Sequence, residues 1–588
     1  MIDFQNKVLL LFNRISESRR VYWLSLLIGI VCGLAALTLK HMIHLIGDFW
    51  VSNLERSSVN YLYLASPLIG ITITVLIVKF LIKDDLSHGV SKVLGAISLN
   101  KGILKRHNTF SSMITSSFTI GFGGSVGAEA PVVLTGSAIG SNLARFFNLN
   151  HAQTMLMLGC GATGAVAGIF KAPLAGIVFT LEVLMLDLTM ASLIPLLISG
   201  ITAAVLAYYF MGNAALFNFE LVNSFDTVNV PFYLFLGVFS GFISLYFTRM
   251  TMYIERRFRR IRKTVYKIVI GSAILGLCIF IFPPLWGEGY DSINKIFNGL
   301  GPDLLDSSLF FNLKDSPWFI VIFLLILVFV KVIAMTATTA SGGVGGIFAP
   351  TLFVGAITGY LVASFFNLSL GLNLPIDNFA LAGMGAMMAG VMHAPLLGIF
   401  LTAEITGGYQ LFFPLIIAAI ASYVTIMGFE PYSIYTKALA RKGELVTHHK
   451  DKAVLHFMAV KELIETDFAI VPPDATLGDL TKIIAKSKRN LFPVVDAEGV
   501  MRGMVKMDDI REIIFNHELY DKVYVKDLMY MPEHYISPRD TMLKVAEKFE
   551  SSGRFNLAVL DNGKYLGFIS RAKVFSNYRN FVRTLSHD

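Results

Sequence analysis

The chain has 588 residues, of which 54% are hydrophobic and only 15% charged, and its mean hydropathy is +0.63. Soluble globular chains carry about a quarter charged residues, so most of this sequence is built for a bilayer, with length left over for a soluble module. The net charge of +8 fits positive loops beside a membrane better than a nucleic-acid surface, and Cys32, Cys160 and Cys278, all in apolar surroundings, read as small core residues rather than as disulfides or metal ligands.

Residues 1–20 carry Lys7, Arg14, Arg19 and Arg20 and precede an apolar run at 21–45. That run is too long for a cleaved signal peptide; it reads as a retained span with the N-terminus in the cytoplasm. A second span covers 61–82. The following apolar segments, at 110–121, 132–147, 154–170, 174–186 and 191–210, are shorter and cut by glycine. An upright span needs 18 or so apolar residues, so several of these are expected to be broken, tilted or half-membrane helices. Broken helices survive in a bilayer only where protein buries them or water reaches them, which points to a solute pathway.

The second half opens at 231–247, followed by Arg256, Arg257, Arg259, Arg260, Arg262 and Lys263, a basic loop expected on the cytoplasmic side. Further segments fall at 265–282, 318–333, 378–392, 396–405 and 411–427. From about 451 charged residues become frequent, and strand-length runs (492–495, 557–560) alternate with helical patterns (477–485, 542–549), as in a soluble α/β module. Asn490, Val494, Val495, Asp496 and Gly503 find echoes in Asn556, Val559, Leu560, Asp561 and Gly567, so this module is itself duplicated. The expected domains are a cytoplasmic N-terminus (1–20), two membrane repeats (21–220 and 221–445) and a tandem soluble module (446–588, with copies at about 455–516 and 523–580).

The membrane repeat rests on two registers. A shift of 219 places Gly123, Gly124, Gly127, Pro131, Gly136 and Gly140 on Gly342, Gly343, Gly346, Pro350, Gly355 and Gly359. A shift of 222 places Ala172, Pro173, Leu174, Gly176, Ile177 and Glu182 on Ala394, Pro395, Leu396, Gly398, Ile399 and Glu404. Interrupted hydrophobic segments at matching positions of two halves mark a transporter binding site. The first loop also carries Glu129 just before Pro131, where a helix start exposes amides that attract anions. A tethered carboxylate there competes with any anion from solution.

The glycine loop with Glu129, the run Gly345-Gly346-Ile347-Phe348-Ala349-Pro350, and Lys171-Ala172-Pro173-Leu174-Ala175-Gly176 followed by Glu182 resemble the CLC chloride channel and transporter family over roughly residues 20–445. The tail, about 455–580, is similar to a pair of CBS domains. The resemblance implies an all-α polytopic membrane fold, an inverted repeat of broken and tilted helices, with a soluble α/β CBS pair behind it. It also implies a homodimer in the cell membrane, both termini cytoplasmic, with one chloride pathway per subunit and voltage-gated relatives. Carried over by position, the gating glutamate is Glu129. The anion site draws on Gly127, Ala128, the amides of Ile347 and Phe348, and a tyrosine, best matched by Tyr435 and less well by Tyr432.

Three positions depart from the family pattern. At 87–91 the family's GSGIP is replaced by Ser87-His88-Gly89-Val90-Ser91, so His88 or Ser87 supplies the side-chain ligand. Ala128 and Ala130 flank the gating glutamate in place of the usual cation and glycine. Val183 stands where proton-coupled members carry a second glutamate, as in the family's channels. The leading expectation is therefore channel-like or uncoupled chloride conduction. A chloride/proton antiporter is the alternative, and a membrane-anchored nucleotide sensor a distant one. Glu182 and Glu404 read as pathway groups or, preferably, as repeated hydrogen-bond anchors, and His393 as structural. Lys171 and Lys331 read as interfacial anchors whose cations snorkel to water. No nucleophile–base pair, metal cluster or phosphate loop suggests an enzyme, no metal is expected, and no cofactor is required. The CBS-like copies each hold half of a nucleotide signature, Asp509 in one and Ser570 in the other, with an adenine nucleotide as candidate ligand.

Overall fold

The computed structural model describes residues 16–54, 62–84, 86, 89–186, 190–212, 215–217, 224–306, 308–441, 458 and 460–585. The chain divides into two compact units, Met1–Leu445 and Val446–Asp588. Ser87 and His88 lie outside the described residues.

The first unit begins with α1 (Glu17–Leu54), α2 (Leu62–Leu76), α3 (Gly89–Leu99), α4 (Ser111–Gly121), α5 (Glu129–Phe146), α6 (His151–Phe170), α7 (Pro173–Glu182) and α8 (Met190–Met211). It continues with α9 (Val230–Arg259), α10 (Thr264–Ile281), α11 (Tyr290–Phe297), α12 (Pro317–Ala340), α13 (Phe348–Leu370), α14 (Ile376–Met392), α15 (Pro395–Ile405) and α16 (Phe412–Met427). Among the described residues, eight helices are long and apolar enough to cross a membrane. Others are half-length: α7 has 10 residues and α15 has 11. At 1.5 Å per residue these reach about 15 Å, half the hydrocarbon thickness.

The repeat is explicit in the packing. α1 lies on α8 as α9 lies on α16, and α5 lies on α6 as α13 lies on α14. Both α5–α6 and α13–α14 cross through glycine. A Cβ at Gly140 would collide with the Met157 backbone, and one at the matching Gly359 with the Phe379 backbone. Backbone cannot swing aside as a side chain can. Gly359→Val is therefore expected to cost about 3 kcal/mol through forced separation of the helices, and the purified variant should lose its monodisperse gel-filtration peak.

The short helices start and stop for local reasons. Asn150 caps α6, its side chain accepting from Gln153 N at 2.8 Å. α6 ends where Lys171 turns left-handed (φ 58°), and α14 ends at the equivalent His393 (φ 56°). In each copy an alanine and an N-terminal proline then open the next helix. The basic cluster differs from expectation. Arg256, Arg257 and Arg259 belong to the last turn of α9, leaving only the residues after Arg259 to the connection. Arginine is a good helix former, its charge suits a helix C-terminus, and Arg259 pairs with Glu255 at 3.3 Å.

In the second unit β1 (Leu491–Val495) pairs antiparallel with β2 (Met501–Lys506). β3 (Tyr535–Ile536) runs parallel to β4 (Asn556–Asp561), which pairs antiparallel with β5 (Lys564–Ser570). Both hairpins are irregular at the matched positions Val494/Val495 and Val559/Leu560. The helices Leu477–Lys486 and Met542–Ser552 are N-capped by Thr476 and Thr541.

Candidate functional site

The two glycine loops are joined to each other. Gly127 N–H donates to the Gly346 carbonyl at 2.9 Å, and Gly346 N–H returns the bond to Gly127 at 2.6 Å. Around this bridge each loop borrows a hydroxyl from the other half. Ser125 N–H donates to Thr338 Oγ1 at 3.3 Å and Val344 N–H to Thr119 Oγ1 at 3.1 Å. Both pairs obey the 219-residue shift, so Thr119 and Thr338 extend the repeat beyond its glycines and prolines. Gly123 and Gly342, also equivalent, hold φ of 88° and 109°, which a side chain would strain.

The bridge sets the starts of α5 and α13 side by side. First-turn amides of a helix have no acceptor within it, so two sets of unpaired donors and two positive dipole ends share one small volume. Glu129 is the first residue of α5 and is only 1% exposed. Its Oε1 accepts a hydrogen bond from the Tyr290 hydroxyl, whereas Oε2 makes none of ordinary geometry. The amides of Glu129 itself and of Ala349 face the carboxylate. A Cβ on Gly127 would strike Oε2, so the glycine is what lets the carboxylate fold back over its own loop.

Beneath this lies a cavity of about 90 Å³ lined by Gly89, Ala130, Gly346, Ile347 and Tyr435, with Glu255 and Arg259 at its other end. It has room for a few water-sized occupants. The Tyr435 hydroxyl is buried and has no hydrogen-bond partner among the described residues. A buried hydroxyl without a partner is costly, and an anion in the cavity would satisfy it. Ser91 Oγ steadies this residue by donating to the Tyr435 carbonyl at 3.1 Å. Glu255, Arg259 and Thr339 also line a larger opening of about 560 Å³ that carries Lys79 and Lys267. The two cavities thus share walls between a basic mouth and the paired helix starts. Near this end Asp84 bonds Lys92 at 2.6 Å and Lys105 at 3.0 Å. Burial works against the Asp84 charge, but the two ammonium groups win and hold its carboxyl at about 2.

Other expected residues are placed as follows. Glu182, at the end of α7, accepts from Leu396 and Leu397 amides at 3.1 and 2.8 Å. Glu404 on α15 accepts from Leu174 and Ala175 amides at 3.1 and 2.8 Å. Each carboxylate caps the half-helix of the opposite repeat. Val183 is buried at 3% exposure.

The lysines correct the snorkelling expectation. Lys331 is fully buried and donates to Ser125 Oγ at 2.8 Å and to the Gly287 carbonyl at 3.3 Å. Lys171 is 8% exposed and donates to the Gly212 carbonyl at 2.8 Å. Carbonyls and a hydroxyl at the loops replace the water these cations would otherwise seek. Sequence reasoning also missed Glu288 and Tyr290. The only signal was a carboxylate between Gly287 and Gly289, after two prolines.

In the soluble unit Asp509 is exposed, and the Ser570 hydroxyl is engaged with the Glu465 carboxylate, which also pairs with Arg489 at 2.7 Å.

The sequence model of the voltage gated chloride channel family matches residues 69–426. The chain belongs to the CLC voltage-gated chloride channel family. Behind the CLC portion, CBS domain models match residues 460–516 and 525–580. This CLC protein is 31% identical over 367 residues to a ClcB-like chloride channel protein of Ralstonia nicotianae, covering 60% of the chain and 80% of that relative. It is 28% identical over 442 residues to the H(+)/Cl(-) exchange transporter ClcA of Vibrio cholerae, covering 72% and 89%. Its fold matches the crystal structure of a slow cyanobacterial Cl-/H+ antiporter with a TM-score of 0.63 at 22% identity, over 73% of this chain and 98% of that one. The chain is thus a multi-pass membrane protein of an anion-transporting family, whose members move ions rather than transform them.

Proposed function

We propose that the chain conducts chloride, channel-like or uncoupled, as a homodimer in the cell membrane with both termini cytoplasmic. Glu129 acts as a tethered competing anion. The observation that carries this reading is a nearly unexposed carboxylate at the meeting point of two helix starts, with one oxygen unbonded and a glycine cleared from its path. Charged, it holds the position an anion needs; protonated or displaced, it swings away. Helix amides, rather than a fixed lysine, suit a site the ion must also leave. The amides of Ile347 and Phe348, the Tyr435 hydroxyl and a side chain from Ser87 or His88 complete the ligand set, beside Gly127 and Ala128.

Val183, a buried side chain that cannot carry a proton, supports the uncoupled reading. A chloride/proton antiporter is the second reading, favoured by the exchanger name of the Vibrio cholerae relative. Simultaneous chloride and proton recording from proteoliposomes separates them. The expected result is chloride flux with no proton movement against a gradient. Uphill proton pumping driven by chloride would establish the antiporter. On the soluble unit an adenine nucleotide remains the proposed ligand of the Asp509 and Ser570 half-motifs.

A further inference from the structure

The segment 285–290 closes over the Glu129 loop on the side away from the basic mouth. α10 starts beside the basic end of α9, and Glu288 follows the far end of α10. Two links hold the segment there. Lys331 joins Ser125 Oγ to the Gly287 carbonyl, and Ser125 Oγ donates to the Leu285 carbonyl at 2.7 Å. The Glu288 carboxylate then accepts from Ala128 N–H at 3.0 Å. Ala128 is the residue on which α5 opens, one position before Glu129.

We propose that Glu288 is a second tethered anion, in series with Glu129, and that an ion leaving or entering on this side must displace it from the Ala128 amide. The inference rests on Glu129 being the inner gate. Four observations support it. Glu288 occupies an amide of the same helix start that faces the pathway. As a residue it is less enclosed than Glu129, being partly rather than fully buried. Glu129 Oε2 makes no hydrogen bond of ordinary geometry, and the two carboxylates lie near enough for each to act on the other's charge. The remaining groups around Glu288 are mostly basic side chains: Lys40 and the exposed His44 from α1, and Lys331 from α12. Tyr290 faces both carboxylates, and Lys171 faces Lys40. Such a setting holds a carboxylate in place and lets a proton or a chloride release it.

The test is chloride efflux from proteoliposomes of the full chain, with pH equal on both faces and stepped from about 8 to about 4.5, across the carboxylate and histidine range. Glu288→Gln keeps an oxygen for the Ala128 amide and removes only the charge. It is expected to raise flux at the alkaline end about tenfold, the worth of one charge-assisted hydrogen bond. The upward shift of the wild type's half-activation pH with added chloride should shrink in this variant to the part that belongs to Glu129. Glu129→Gln should keep a shallow pH dependence, and the double variant none. Glu288→Asp, which restores the charge, should restore the chloride-linked shift and guards against misfolding. A Glu288→Gln profile equal to wild type, with the double variant equal to Glu129→Gln, would reduce Glu288 to a structural cap and leave the Glu129 gate standing. A steep wild-type profile surviving in Glu129→Gln would remove the inner gate, and the serial arrangement with it.

Discussion

Replacing Glu129 by glutamine raises chloride efflux at neutral pH about tenfold or more and removes most of its activation by acid. The magnitude follows from the blocking contact. A carboxylate bonded to the Tyr290 hydroxyl and facing helix amides is held by charge-assisted contacts, each worth about 1.5–3 kcal/mol, and 1.4 kcal/mol is a factor of ten in occupancy. Glutamine keeps the shape and the Tyr290 contact but not the charge, so it yields to chloride at every pH. The measurement is proteoliposome efflux over a pH series. An unchanged steep profile would mean that Glu129 does no more than cap α5.

Lys331→Met destabilises the protein by about 2–5 kcal/mol and weakens chloride binding. The side chain is wholly buried, and it joins the Ser125 hydroxyl of one repeat to the Gly287 carbonyl. Methionine fills the volume but leaves both oxygens without this donor, and buried acceptors left unpaired cost about 1–3 kcal/mol each. The segment 285–290 should loosen, taking Tyr290 and Glu288 away from the start of α5. Thermal unfolding of the purified full chain, with and without chloride, checks both parts. An unaltered midpoint, stabilised by chloride as in wild type, would show that water substitutes for the ammonium.

The lysines show where reading the chain stops. Lys331 within an apolar run resembles any interfacial anchor, because the carbonyl and hydroxyl that hold it lie 44 and 206 residues away in sequence. Glu288 and Tyr290 were invisible for the same reason: they act on a loop some 160 positions earlier and have no counterpart in the repeat. The basic cluster was visible, but half of it proved helical, since charge alone does not mark where a helix ends.

Patterns carried along the chain were enough for the membrane class, the duplication, the broken helices, the CBS pair and the place of Glu129 at a helix start. Each of these depends on local chemistry: apolar length, glycine and proline punctuation, and a carboxylate where none is cheap. Only the folded structure decided which groups face that carboxylate and where the half-helices end. Glu182 and Glu404 illustrate this, each capping a helix more than 200 residues distant. Such pairings arise because buried amides and charges must find partners wherever packing brings them. That requirement leaves no periodic trace in a sequence.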